Sequence, residues 1–116
     1  MAYFDISVAA VTTDQKEAYT AFAKKVGQLF KDHGALSVID TWGDDVPDGK
    51  VTDFRKAVAA RDGETVAVGW VVWPDKAVRD RAWETLMGPD SPMNGLDMPF
   101  DGKRMIFGAF DAICEL

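Results

Sequence analysis

Two cations stand side by side at Lys103-Arg104, just after the turn sequence Asp101-Gly102 and just before the apolar run Met105-Ile106-Phe107. A guanidinium and an ammonium at the mouth of a strand can hold an anionic group by charge and by hydrogen bonds. The proline-stiffened approach Asp97-Met98-Pro99-Phe100 adds an aromatic ring, and Trp42-Gly43-Asp44-Asp45 adds a second ring and two carboxylates. Trp42, Asp44, Asp45, Phe100, Asp101, Lys103 and Arg104 are therefore the candidate ligand-binding residues, with a small anionic or aromatic molecule as what they would take. The competing reading is architectural: Asp45 or Asp101 pairs with Arg104 and pins a long loop to the sheet.

Other chemistry is thinly represented. His33 and Cys114 are the single histidine and the single cysteine, so no metal site of the usual ligand types is expected and no cofactor is implied. No nucleophile motif is present. The segment from Asp44 to Arg55 fails as a calcium loop, because Val46 stands at its third position and Arg55 at its twelfth. His33 reads as a cation in the last turn of a helix, and Cys114 as a small buried hydrophobe. Asp5 and Asp111 fall toward the same end of neighbouring strands. Facing each other they would raise one pKa; otherwise they form two solvated carboxylates.

These groups must be positioned by secondary structure. Tyr3 to Val11 alternates as a strand, with Phe4, Ile6, Val8 and Ala10 on one face. Asp14, with Glu17 three residues on, predicts a capping box. Tyr19, Phe22, Val26, Leu29 and Phe30 then recur at helical spacing until Gly34. Ala35 to Gly43 reads as a strand, 44–53 as irregular, and Phe54 to Ala60 as a short helix capped by Thr52 or Asp53. Thr65 to Trp73 is the strongest strand. It sets Val66, Val68, Trp70 and Val72 against Ala67, Gly69, Val71 and Trp73, apolar on both faces and so covered on both. Asp75 caps a helix to Met87, with Val78, Ala82, Trp83 and Leu86 inward, and Gly88-Pro89 ends it. After a loop of about fifteen residues, long enough to be functional or mobile, the last strand runs from Arg104 to Cys114.

The order strand, helix, strand, strand, helix, strand predicts an α+β, ferredoxin-like βαββαβ sandwich. Its four antiparallel strands lie in the spatial order four, one, three, two, with two helices on one face. The second face would be bare in a monomer. A homodimer packed sheet to sheet, a dimeric α/β barrel, would cover it, with Trp70 or Trp73 lining the space between the subunits. In this topology Trp42, both irregular segments and the Lys103-Arg104 pair meet at one end, where the first helix also begins and its N-terminus favours anions.

The 116 residues suit a single domain, 1–116. The net charge of -6 argues against a nucleic-acid backbone as partner. No apolar run of about 18 residues would span a membrane. The first residues lack the basic-then-apolar pattern of a signal peptide, and one cysteine fits a reducing compartment; a cytoplasmic location is the expectation.

Several segments resemble a known signature. They are Lys31-Asp32-His33-Gly34-Ala35-Leu36, Asp44-Asp45-Val46-Pro47-Asp48-Gly49-Lys50-Val51-Thr52, Glu64-Thr65-Val66, and the terminal stretch from Leu96-Asp97-Met98-Pro99-Phe100-Asp101-Gly102-Lys103-Arg104 to Glu115-Leu116. Together they are similar to the YbaA-like bacterial family, domain of unknown function 1428, over nearly the whole chain and in the right order. The resemblance implies a ferredoxin-like fold that dimerises as dimeric α/β-barrel proteins do, and it implies no activity. That wider superfamily includes cofactor-free monooxygenases, haem enzymes and ligand-binding regulators, so fold does not select among them. Three functions stay open: a homodimeric small-molecule-binding domain, a cofactor-independent enzyme working through Asp, Lys and Arg, and an interaction dimer without a functional pocket.

Overall fold

The computed structural model describes residues 2–116. Four strands form one antiparallel sheet: β1 (Tyr3–Thr12), β2 (Ser37–Asp40), β3 (Glu64–Trp73) and β4 (Ile106–Asp111), in the order β2-β3-β1-β4. This is the expected order. β1 and β3 pair over their whole length, from Tyr3 opposite Trp73 to Thr12 opposite Glu64. They are the longest strands, ten residues each, and β3 is apolar on both faces, which suits the middle of the sheet.

Two helices, α1 (Lys16–Asp32) and α3 (Lys76–Leu86), cover one face. Phe30 from α1 and Ala82 and Leu86 from α3 meet Tyr3, Val71 and Trp73 of the sheet in the main core. Trp73 is 0% exposed, and Phe30 stands edge-on to it at 5.9 Å. Gly34, at φ 109°, ends α1 in the left-handed conformation that glycine adopts without strain. Asp75 caps α3 by accepting from the Val78 N–H at 2.9 Å.

Some boundaries differ from the sequence reading. Asp14 does not cap α1: it lies inside a 3-10 turn, Thr13–Gln15, so no side-chain cap forms and α1 starts at Lys16. β2 is short, yet Leu36, Thr41 and Gly43 continue its backbone pairing, donating to Val72, Val68 and Val66 of β3. β4 starts at Ile106 rather than Arg104, because Arg104 folds back and its backbone N–H donates to Asp101 O. Cys114 is exposed, not buried; β4 ends at Asp111, before it.

The segment between β2 and β3 carries α2 (Phe54–Ala57), capped by Asp53 through Lys56 N at 2.7 Å. It crosses to the other sheet face, where Val46, Val58 and Ala60 pack on Val8, Ala10, Val66 and Val68. That face is thus not bare throughout. Its remainder is open: Ile39, Ile106 and Phe110 are 45%, 44% and 54% exposed, beside half-buried Phe4, Ile6, Trp70 and Val72.

Candidate functional site

Residue size across the middle of the helix-covered face decides where space is left. Ser7 of β1 pairs with Gly69 of β3 on one side and Phe107 of β4 on the other, and Gly69 pairs with Asp40 of β2. These four residues make one row across the sheet with two small members at its centre. Above it, α1 presents Ala23 and Gly27 between Phe22 and Val26. Helix and sheet therefore do not close on each other there, and a cavity of about 460 Å³ remains between them. Such a volume is that of a small-molecule site.

The walls are apolar. Phe22, Val26 and Phe30 come from α1 and Trp83 from α3; the loop after α3 adds Met93, Met98, Phe100 and Met105. Phe100 packs edge-on to both Tyr19 and Phe22 at 5.7 Å. Unbranched methionine side chains adapt to differently shaped contents.

Three polar groups stand out at the floor. Asp5 is fully engaged: its carboxylate accepts from the indole N–H groups of Trp73 at 2.9 Å and Trp83 at 2.8 Å, and from Arg79 at 2.9–3.2 Å. Arg79 also lies over the Trp83 ring and bonds Asp80. Asp40, in contrast, has no hydrogen bond or ion pair among the described residues. Its Oδ1 lies 2.3 Å from where a Cβ on residue 69 would stand, so only a glycine there leaves the carboxylate room. Asp40 is exposed on the edge strand β2, yet partial desolvation of its carboxyl against the cavity pushes it above the usual aspartate range. Burial first, and then the Asp40 charge, push the Tyr19 phenol up to about 12. The Ser7 hydroxyl, 3.5 Å from the same Cβ position, likewise has no hydrogen-bond partner among the described residues.

A second, outer groove of about 660 Å³ runs between α1 and β2, lined by Lys16, Lys24, Lys31, Leu36 and Trp42. It shares Tyr19, Asp40 and Val38 with the cavity. The carboxylate of Asp40 therefore borders both spaces.

The seven residues singled out from the sequence divide. Trp42 and Phe100 converge on Tyr19, with ring centroids at 6.0 Å and 5.7 Å; Phe100 lines the cavity and Trp42 the groove. Arg104 and Asp101 come together as an architectural tie. Arg104 grips both carboxylate oxygens of Glu64 at 2.7 and 2.8 Å, and gives Nε to Asp101 at 3.0 Å and a further N–H to Ala59 O at 3.0 Å. This bidentate pairing pulls the Glu64 carboxyl down to about 2, and Arg104 also lowers that of Asp101. Its donors are thus directed inward, joining 59–64 to 101–104. Asp44, Asp45 and Lys103 are exposed, and their side chains make no ion pair among the described residues.

Asp5 and Asp111 share a sheet face without meeting, since Asp5 stands opposite Ala109 and Asp111 opposite Tyr3. Asp5 instead finds the indoles and Arg79, and Asp111 is exposed. His33 caps α1, with Nδ1 at 2.8 Å from Leu29 O. Sequence reasoning missed Ser7, Asp40, Gly69 and Tyr19 as site residues. The available signal was Gly69, a glycine inside the strongest strand, where close approach of another group is a usual reason.

The family model described as protein of unknown function (DUF1428) matches residues 2–102. The chain is 49% identical over 116 residues to the "Uncharacterized protein YbaA" of Escherichia coli (strain K12), covering 99% of both chains. The protein of the same name from Shigella flexneri matches with the same identity and coverage.

Proposed function

The chain belongs to the DUF1428 family, and from that premise we propose that it is a small-molecule-binding domain whose ligand sits between α1 and the sheet. One observation carries this reading: an apolar cavity of about 460 Å³ with the exposed Asp40 carboxylate, unpaired among the described residues, at the edge of its floor. A structural core of this size ordinarily closes such space. Among the residues expected at the strand ends, Phe100 supplies a wall and Trp42 an outer aromatic; Asp101 and Arg104 hold the loop that carries Phe100. Lys103, Asp44 and Asp45 rim that end of the molecule.

The open sheet face favours a second element of the reading, a homodimer packed face to face. Ile39 on one edge strand and Ile106 and Phe110 on the other are exposed on that face, beside half-buried Phe4, Ile6, Trp70 and Val72, and a second copy packed there would cover them.

A neutral environment-sensitive fluorophore, N-phenylnaphthylamine, tests the binding function. Its emission is expected to rise with wild type, to rise equally with Phe110→Glu on the open face, and to stay flat with Ala23→Phe, which fills the cavity. No rise with wild type, or a rise lost in Phe110→Glu and kept in Ala23→Phe, would overturn the cavity as the site.

A further inference from the structure

The charges around the cavity do not balance, and the imbalance identifies the class of ligand. Asp5 and Arg79 cancel, locked to each other by three close contacts at 2.9–3.2 Å. Arg79 also gives Nη1 to Asp80 at 3.1 Å, so all three of its nitrogens are engaged with carboxylates and its charge is already matched. No lysine lines the cavity; Lys16, Lys24 and Lys31 all lie along the outer groove. Lys16 is over the Trp42 ring at 5.9 Å, and Lys31 donates to Leu36 O at 3.0 Å. Asp40 is left as the uncompensated charge of the cavity, held over Gly69 beside Ser7.

Asp40 is exposed where it borders the outer groove, so water serves it when the cavity is empty. Of the charged side chains that line the cavity, it is the one without a protein partner among the described residues, and it is free to pair with a cation that a guest brings. The rings of Tyr19, Phe22 and Phe100 suit the same guest, because aromatic faces carry the negative part of the quadrupole. The net charge of -6 adds a long-range field of the same sign.

We propose that the cavity takes an amine: an aromatic or aliphatic body fills the apolar chamber, and a protonated nitrogen seats against the Asp40 carboxylate beside Ser7 and Tyr19. This deepens the binding function proposed above and rests on it. Gly69 is the positioning residue. Any side chain there would collide with Asp40 Oδ1 and turn the carboxylate away. Asp40 also borders the groove, which gives the ammonium a route from solvent.

Titration calorimetry with phenylbutylamine, phenylbutanol and phenylbutyrate separates the two claims, because the three share one body and differ at the head. At neutral pH the full-length protein is expected to bind the amine about tenfold more tightly than the alcohol, the difference between a charge-assisted and a neutral hydrogen bond. It should bind the carboxylate most weakly. Asp40→Asn, nearly isosteric at a side chain that holds no other group, should keep the alcohol affinity and lose the preference for the amine. An amine bound no better than the alcohol, a preference for the carboxylate, or a preference that survives Asp40→Asn would overturn the amine assignment while the cavity stands. Failure of all three to bind wild type would overturn the cavity, and the assignment with it.

Discussion

At the scale of single residues, the molecule uses its carboxylates in opposite ways. Asp5 and Glu64 are surrounded by donors, whereas Asp40 makes no hydrogen bond among the described residues. A carboxylate accepting from an arginine and two indoles is held in one geometry, and it fixes Trp73 and Trp83 in turn. Glu64 gives a test in pH. Its folded pKa of about 2 lies below the ordinary 4.5, so its stabilising contribution is fully present above about 4.5 and is lost as pH falls from there toward 2. Glu64→Gln removes that contribution at neutral pH and with it that part of the acid sensitivity. Acid titrations followed by circular dichroism should show a lower thermal midpoint than wild type at pH 7, by several degrees. The gap should narrow steadily between pH 4.5 and 2. A gap of constant size would contradict the pairing with Arg104.

At the scale of elements, α3 is the piece whose placement matters most to the cavity. It brings Arg79 and Trp83 to Asp5 on one turn-to-turn stripe, and its start is defined by Asp75. Asp75→Ala removes one cap and leaves an orphan N–H at Val78, which should cost about 1 kcal/mol in urea unfolding with an unchanged slope. A cost near zero would mean that packing of Ala82 and Leu86 alone sets the start of α3. The loop from Gly88 to Arg104 behaves as an element as well. Met93 docks on the main core, Phe100 and Met105 dock on Tyr19, Val11 and their neighbours, and Arg104 closes the end. Its length serves to wall the cavity, a role that the turn residues alone did not reveal.

At the scale of the whole molecule, the sheet has one face roofed by α1 and α3 and the other roofed only at one end by 46–60. A homodimer that buries the open half is expected to sediment at twice the chain mass at micromolar concentration. Phe110→Glu should shift it to monomer while leaving the helical signal intact. A wild-type monomer at that concentration would show that the open face has another use or none.

What the sequence determined by itself is the set of relationships that depend on local periodicity. Alternation over Tyr3–Thr12 and Glu64–Trp73 marks two strands, the second apolar on both faces, the spacing from Tyr19 to Phe30 marks α1, and Gly34 and Asp75 mark helix ends. The order of those elements, with the handedness of their crossovers, is enough to place β1 and β3 at the centre. Only the tertiary structure decided which acid meets which base. Arg104 and Glu64 are 40 residues apart in the chain, and Asp5 and Trp83 are 78 apart. Such pairings follow from register and from the path of loops, which no periodicity encodes. The cavity belongs to the same class. It exists because Ser7 and Gly69 meet in one row beneath Ala23 and Gly27, and small residues scattered over three elements become a space only when the chain has folded them onto one another.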